Sequence, residues 1–442
     1  MIRRLASRRL VPVAACCESF ESRVVLSSST LVPLIAMNLP VAPAGAVAAD
    51  AAFIDPTAQI RGGSNISIAG HSYVAPFAAL KSLNGGKILI GEGSDIQDNV
   101  DITSRQLNID VVLGNHVIIA HNATISTFAR SAVHIGSTEP GAEPSFVGFN
   151  AIIRGATVEE DAMVLHLARV QPGITIHSGF KVLPGKDVRT QAQADNPALG
   201  KVALVTAADR AFMAGVLEVN EDFAEGYAKL YYGSDGPGGT EHLDAVMGVG
   251  ADPDTTFNPG VDLPDLGAML NVTNSAFRNR IIGEVALAQT LDQLSAVTGN
   301  SVSIRADEGE PFTIGTIARI EGTFTMHALE HTGITVGNNV NYGFHSLVHG
   351  GDDSGNSPHE TTRIGNDVKI GRWSVVFRST IGNGISIGRK SLVDGSQLYL
   401  KDGNIWADTN GDTTPDVKLL NGPRVPDRVV IINNAVVGKV EW

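Results

Sequence analysis

The chain has 442 residues, enough for two ordinary domains, and it combines 48 glycines with few aromatics. Its formal charge of -13 argues against nucleic acid or an anionic membrane as the main partner, because either surface would repel it, and leaves small solutes or protein partners. Cys16 and Cys17 are the only cysteines and both lie in the N-terminal tail. Neither a disulfide framework nor a thiolate zinc cage can support the folded part, so a metal there must be held by histidines and carboxylates.

Residues 1–50 begin with Arg3, Arg4, Arg8 and Arg9, continue through an apolar stretch from Leu31 to Val41, and reach Ala46-Val47-Ala48. This pattern predicts an export leader with an A-x-A cleavage site, and hence a periplasmic or extracellular protein; a disordered tail is the other reading. Pro33 and Pro40 interrupt the apolar stretch, so no stable membrane span is expected.

From about residue 53 an aliphatic residue recurs at every sixth position: Ile90, Ile96, Ile102, and later Ile314, Ile320, Met326, then Ile364, Ile370, Val376 and Ile381, Ile387, Val393. Neither an α-helix nor simple strand alternation has a period of six. A triangular solenoid has, with one inward aliphatic residue per side and glycine-tolerant corners. The expected fold is mainly β, two left-handed parallel β-helices. The first, over 51–232, ends in an attached α-helix from Ala207 to Tyr232, because Phe212, Val216, Val219 and Phe223 fall on one helical face. A Gly/Pro/Asp-rich linker follows over 233–275. The second β-helix spans 276–442; an apolar segment, Ile281 to Val297, leads into its hexads, which run to about residue 395, and an irregular tail follows.

Register turns the repeat into chemistry. His327 lies thirteen residues past Ile314 and His349 thirteen past Val336, which stacks the two imidazoles on adjacent coils, about 4.8 Å apart and able to share one ion. The equivalent positions in the first half are Thr103 and Ser126. His121 lies eight past Leu113, on a different side of the triangle, where the second half has Phe344. One triangular domain cannot bring both sides to one point, whereas two packed side by side can. His345, next to Phe344, leaves open a site built from the second half alone. Taken singly, His121 also suits a turn cap, and His327 with His349 a polar ladder.

These motifs resemble the γ-class carbonic anhydrases. The resemblance covers both halves: 301–329 (SVSIRADEGEPFTIGTIARIEGTFTMHAL) and 336–350 (VGNNVNYGFHSLVHG) in the second, and 73–100, 113–121, 147–195 and the helix segment VNEDFAEGYAKLYY in the first. The hexads alone are less specific, since many acyltransferases carry them. In that family the sites lie between β-helices of a trimer, so the resemblance implies a metal held by His327 and His349 from one domain and His121 from the other. The ion would be Zn²⁺, with Fe²⁺ or Co²⁺ also suited. Gln97 and Asn220 match residues that orient the metal-bound water and substrate; the second half has Glu321 at the glutamine position. Glu308 and Glu330 match the acidic proton-transfer residues, where the first half has Asn84 and Gln106. Arg305 and Asp307 match a pair at subunit contacts, opposite Lys81 and Leu83.

The losses in the two halves are therefore complementary, and the implied function is reversible hydration of carbon dioxide to bicarbonate at a composite site. The metal would lower the pKa of its water to about 7 and provide hydroxide near neutral pH. A homo-oligomer with first-domain to second-domain interfaces is expected. A noncatalytic β-helical scaffold and a hexapeptide-repeat acyltransferase are the alternatives. Separately, Asp408, Asn410 and Asp412 around Gly411, with Asp416 beyond, resemble the start of a calcium loop without its closing glutamate. An acidic surface turn is the other reading.

Overall fold

Each run of hexads winds into coils of three short strands, and equivalent strands of successive coils pair in parallel to form three walls. The computed structural model describes residues 52–55, 57–62, 65–232, 279–283, 285–307, 311–329, 332–351 and 361–442. The expected leader and linker lie outside them. In the first left-handed β-helix, wall I contains Ile88–Ile90, Val111–Leu113 and Val133–Ile135; wall II contains Asp95–Ile96, Val117–Ile119 and Ser145–Val147; wall III contains Asp101–Ser104, Thr124–Ser126 and Ile152–Arg154. In the second, the corresponding walls contain Phe312–Ile314 and Ile334–Val336, then Ile317–Ile320 and Val340–Tyr342, then Phe324–His327 and Leu347–His349.

The hexad residues form the axis of each coil. Ile90, Ile96, Ile102, Leu113, Ile119 and Ile125 belong to one buried core, and Ile314, Ile320, Met326, Val336 and Val348 to another. Each such side chain contributes roughly 1.5–3 kcal/mol of burial. Strand alternation then sends the intervening residues outward. Val117 and Ile119 point into the first core while Ile118 joins a third cluster with Phe146, Met163, Leu347, Val375, Leu392 and Val430. Wall II of the first β-helix therefore lies against wall III of the second.

Polar contacts cross the same seam. Arg280 donates to both carboxylate oxygens of Asp55 at 2.9 and 2.7 Å, both side chains being buried. Glu441 accepts from the Asp187 amide at 2.9 Å and pairs with Lys201 and, at 3.5 Å, Lys186. The Trp442 indole donates to Leu167 O at 2.6 Å.

The helix Ala207–Tyr232 has the expected span and packs on wall II of the first β-helix, with Met213, Val216, Leu217 and Phe223 buried. No described helix is long and apolar enough to cross a membrane. The C-terminal part departs from the expected irregular tail. The wall I strand Gln397–Lys401 continues outward into an antiparallel hairpin with Asn404–Ala407, and a third strand, Val417–Leu420, pairs with that one. The coil then resumes through Arg424–Val425 in wall II and Val429–Ile432 in wall III. Val425 and Ile431 keep the six-residue step; the inserted hairpin hides it, because it interrupts the count between two walls of one coil.

Candidate metal centre

His121 follows wall II of the first β-helix, at the corner leading to wall III, whereas His327 and His349 end adjacent wall III strands of the second and pair directly in register. Where the two walls meet, the three imidazoles converge. Each pair of ring centroids is 5.2 Å apart. One ligand atom from each histidine lies within 4.8 Å of the other two, and all three residues are buried. This is the single grouping of three or more His, Cys, Asp or Glu ligand atoms among the described residues. One chain thus brings the expected residues together without a partner.

Close approach of the coils aids this convergence. Gly350 follows His349, and a Cβ there would lie 2.4 Å from the Ala328 Cβ, so only glycine lets these two coils stack beside the imidazoles. Phe149 closes an apolar side of the site, with its ring 5.5 Å from that of His121 and 4.9 Å from that of His349.

The electrostatics favour neutral rings. Burial, with only partial compensation from Asp98, pushes His121 down to about 4. Burial and the two neighbouring imidazoles hold His349 well below the usual histidine range. His349 Nδ1 lies 2.9 Å from Gly350 O, where it donates, leaving Nε2 as its lone-pair nitrogen. His121 Nδ1 lies 3.1 Å from Asp98 Oδ2 and 3.2 Å from the Asp98 amide, which donates to it. The His121 Nε2 is buried and has no hydrogen-bond partner. A buried unsatisfied nitrogen is costly unless something binds it. Three clustered imidazoles, two of them held neutral by burial and one with an orphaned nitrogen, suit a metal ion.

Asp98 is the main residue that the sequence reading missed. It lies 23 residues before His121, which is one coil, since Ile96 pairs with Ile119. A carboxylate one coil below a ligand histidine was therefore available to the same counting. It is wholly buried and linked to the second β-helix: Arg305 lies 3.0 Å from Oδ2, and the Ser303 hydroxyl donates to Oδ1 at 2.5 Å. Burial alone would raise its pKa, but Arg305 and His121 more than offset this and hold it well below the carboxylate range.

Arg305 and Asp307 lie in this contact between β-helices. The buried guanidinium donates to Asp307 at 2.7 Å and to the Tyr73 hydroxyl at 3.1 Å, and it sits 5.4 Å from the Phe223 ring centroid. Asp307 Oδ1 is in turn 3.5 Å from His327 Nε2. Asn99 reaches across to Thr325 at 3.0 Å.

Gln97 is buried one coil below the His121 turn. Its Oε1 accepts from the His121 amide at 3.2 Å and its Nε2 donates to Asp95 at 2.7 Å. Asn220 is buried on the helix, where its amide donates to Val216 O at 2.7 Å. Glu308 and Glu330 lie outside the described residues. Glu321, at the glutamine position of the second half, instead forms a 2.6 Å ion pair with Arg372. His345 does not join the triad. It occupies a left-handed corner, φ 56°, and stacks on Trp373 with centroids 4.2 Å apart.

At the expected calcium loop, the oxygens turn toward the loop's own amides. Asp408 accepts from Gly411 at 2.8 Å and Thr413 at 2.7 Å; Asp412 accepts from Thr414 at 2.7 Å; Asn410 Oδ1 accepts from Asp412 N at 3.0 Å. Asp416 accepts from the Thr409 amide and hydroxyl at 2.9 and 2.8 Å. A self-capped acidic turn accounts for these residues.

No protein-family model matches the chain. It is 30% identical over 206 residues to a protein named carbonic anhydrase from Methanosarcina thermophila, covering 42% of this chain and 76% of that one. A solved structure of a hexapeptide transferase family protein from Anaplasma phagocytophilum is 22% identical, covering 40% of this chain and 93% of that chain with a TM-score of 0.25.

Proposed function

The chain belongs to the γ-class carbonic anhydrase family, and from that we propose that it catalyses the reversible hydration of carbon dioxide to bicarbonate at a zinc site composed of His121, His327 and His349. The observation that carries this reading is the convergence of three buried imidazoles from two β-helices, each lacking the full set by itself. When bound there, the ion supplies Lewis acidity and makes hydroxide available from water near neutral pH.

The chain's own residues hold and orient. Asp98 holds the His121 ring in place through its backbone amide and its carboxylate, as partners of ligand histidines commonly do. Arg305 ties that carboxylate to Asp307 and so couples the two halves of the ligand set. Gln97 grips the His121 backbone, which makes it a positioning residue for the ligand in addition to its assigned part in orienting the attacking oxygen. Asn220 is assigned to orient substrate. Phe149 excludes water from one side, leaving an apolar surface suited to carbon dioxide. Glu308 and Glu330 are assigned to carry the released proton to solvent.

The test is metal content together with carbon dioxide hydration for the wild-type chain, His121→Ala and His327→Ala. Each variant should lose about one equivalent of zinc and nearly all activity. If both kept full metal and full activity, the composite site would be wrong.

A further inference from the structure

A strongly cationic hollow opens on this acidic chain. A cavity of about 320 Å³ is lined by Arg372, Trp373, Arg389, Lys390, Asp427 and Arg428. These residues come from turns stacked at one corner of the second β-helix, where Lys390 N donates to Arg372 O and Arg428 N to Arg389 O. Stacking places like charges about one coil, 4.8 Å, apart.

Carboxylates answer only part of this charge. Glu321 occupies Arg372 at 2.6 Å, and Asp427 is shared by Arg389 at 3.1 Å and Arg424 at 2.5 Å. Among the described residues neither Lys390 nor Arg428 has an Asp or Glu partner. The Lys390 ammonium instead makes a long 3.5 Å hydrogen bond to Trp442 O and sits 4.0 Å from the centroid of the Trp442 ring, whose indole is bonded to Leu167 of the first β-helix. Burial, then Arg428, Arg169 and Arg389, push Lys390 below its ordinary value. Arg169 belongs to wall III of the first β-helix, and its buried Nε has no hydrogen-bond partner. Positive charge therefore faces positive charge across the seam.

We propose that this hollow binds a phosphate dianion, held by Lys390 and Arg428 at the edge of the seam between the two β-helices. Two cations without an Asp or Glu partner call for negative charge, and a guanidinium fork beside an ammonium suits a phosphate group. The cavity exceeds a bare phosphate and falls at the lower end of small-ligand sites. Trp373 offers an indole wall, stacked from one side by His345. The phosphate comes either free or on a small molecule with a flat ring, and binding would reduce the repulsion between Arg169 and Lys390.

The test uses the full chain with inorganic phosphate and with adenosine monophosphate, against sodium chloride at equal ionic strength. Phosphate well above its Kd should raise the unfolding midpoint by about 2–6 °C, and equilibrium dialysis should find one equivalent per chain. A stronger effect of the nucleotide identifies a ring-bearing ligand; an equal or weaker one identifies free phosphate. The Lys390→Gln/Arg428→Gln variant should lose both the shift and the bound phosphate while retaining wild-type carbon dioxide hydration. An equal shift with chloride, or undiminished phosphate binding by the double variant, would overturn the proposal.

Discussion

Replacing Asp98 by asparagine removes the negative charge that joins His121 of the first β-helix to Arg305 of the second. Arg305 is 1% exposed, so its charge has no access to solvent screening. Breaking a buried ion pair by removing one partner costs about 3–5 kcal/mol. Here Asp307 remains 2.7 Å from the guanidinium, which retains part of the compensation, and the expected loss is about 2–3 kcal/mol. Asparagine could keep an oxygen toward Arg305 and His121 only by turning its N–H group to the Ser303 hydroxyl, and in either orientation it lacks the charge, so metal affinity should fall about 10- to 100-fold. Urea unfolding gives the first quantity and competition with a chelator the second. Asp98 is held below its ordinary pKa, so its stabilisation is complete above about pH 4 and is lost as pH falls through the folded value. The gap between wild type and Asp98→Asn should therefore stay constant from pH 5 to 8. A variant with unchanged metal affinity and a stability loss below about 0.5 kcal/mol would refute the linking role of Asp98.

Because His121 and His327 meet within one chain, mixing inactive His121→Ala with inactive His327→Ala should restore no activity; recovery on mixing would show that the halves pair between chains. Asp55→Ala removes the two-oxygen partner of the buried Arg280 and should cost about 3–5 kcal/mol, whereas Asp55→Leu combined with Arg280→Met should recover most of it, as read by denaturant midpoints. Burial pushes His166 down to about 3, and its Nδ1 accepts from the Phe149 amide at 3.1 Å. The unfolded chain therefore binds more protons between pH 6.5 and about 3, and stability should fall as pH drops through that window by up to about 1.4 kcal/mol per unit. His166→Gln should flatten this slope, and parallel pH profiles for the two proteins would count against a buried neutral imidazole.

The solenoid was legible because its signal is local. A six-residue step requires no knowledge of distant contacts, and the same counting placed His327 directly beneath His349 and set His121 on another wall. Counting also shows where legibility ends: the hairpin at 397–407 breaks the step inside one coil, and so the closing coils looked irregular. Asp98 was countable, but its value as a partner for Arg305 depends on which walls meet.

By itself, then, the sequence determined two β-helices with complementary incomplete ligand sets, since inward aliphatic residues and corner positions repeat along one dimension. Only the tertiary structure decided that wall II of the first faces wall III of the second within a single chain, that Asp98 and Arg305 join across that seam, and that His345 turns to Trp373 instead of the triad. Those outcomes depend on the outward-facing residues of two separate coils, Ile118 and Phe146 against Leu347 and Val375, and no repeat within either coil encodes how such faces pack.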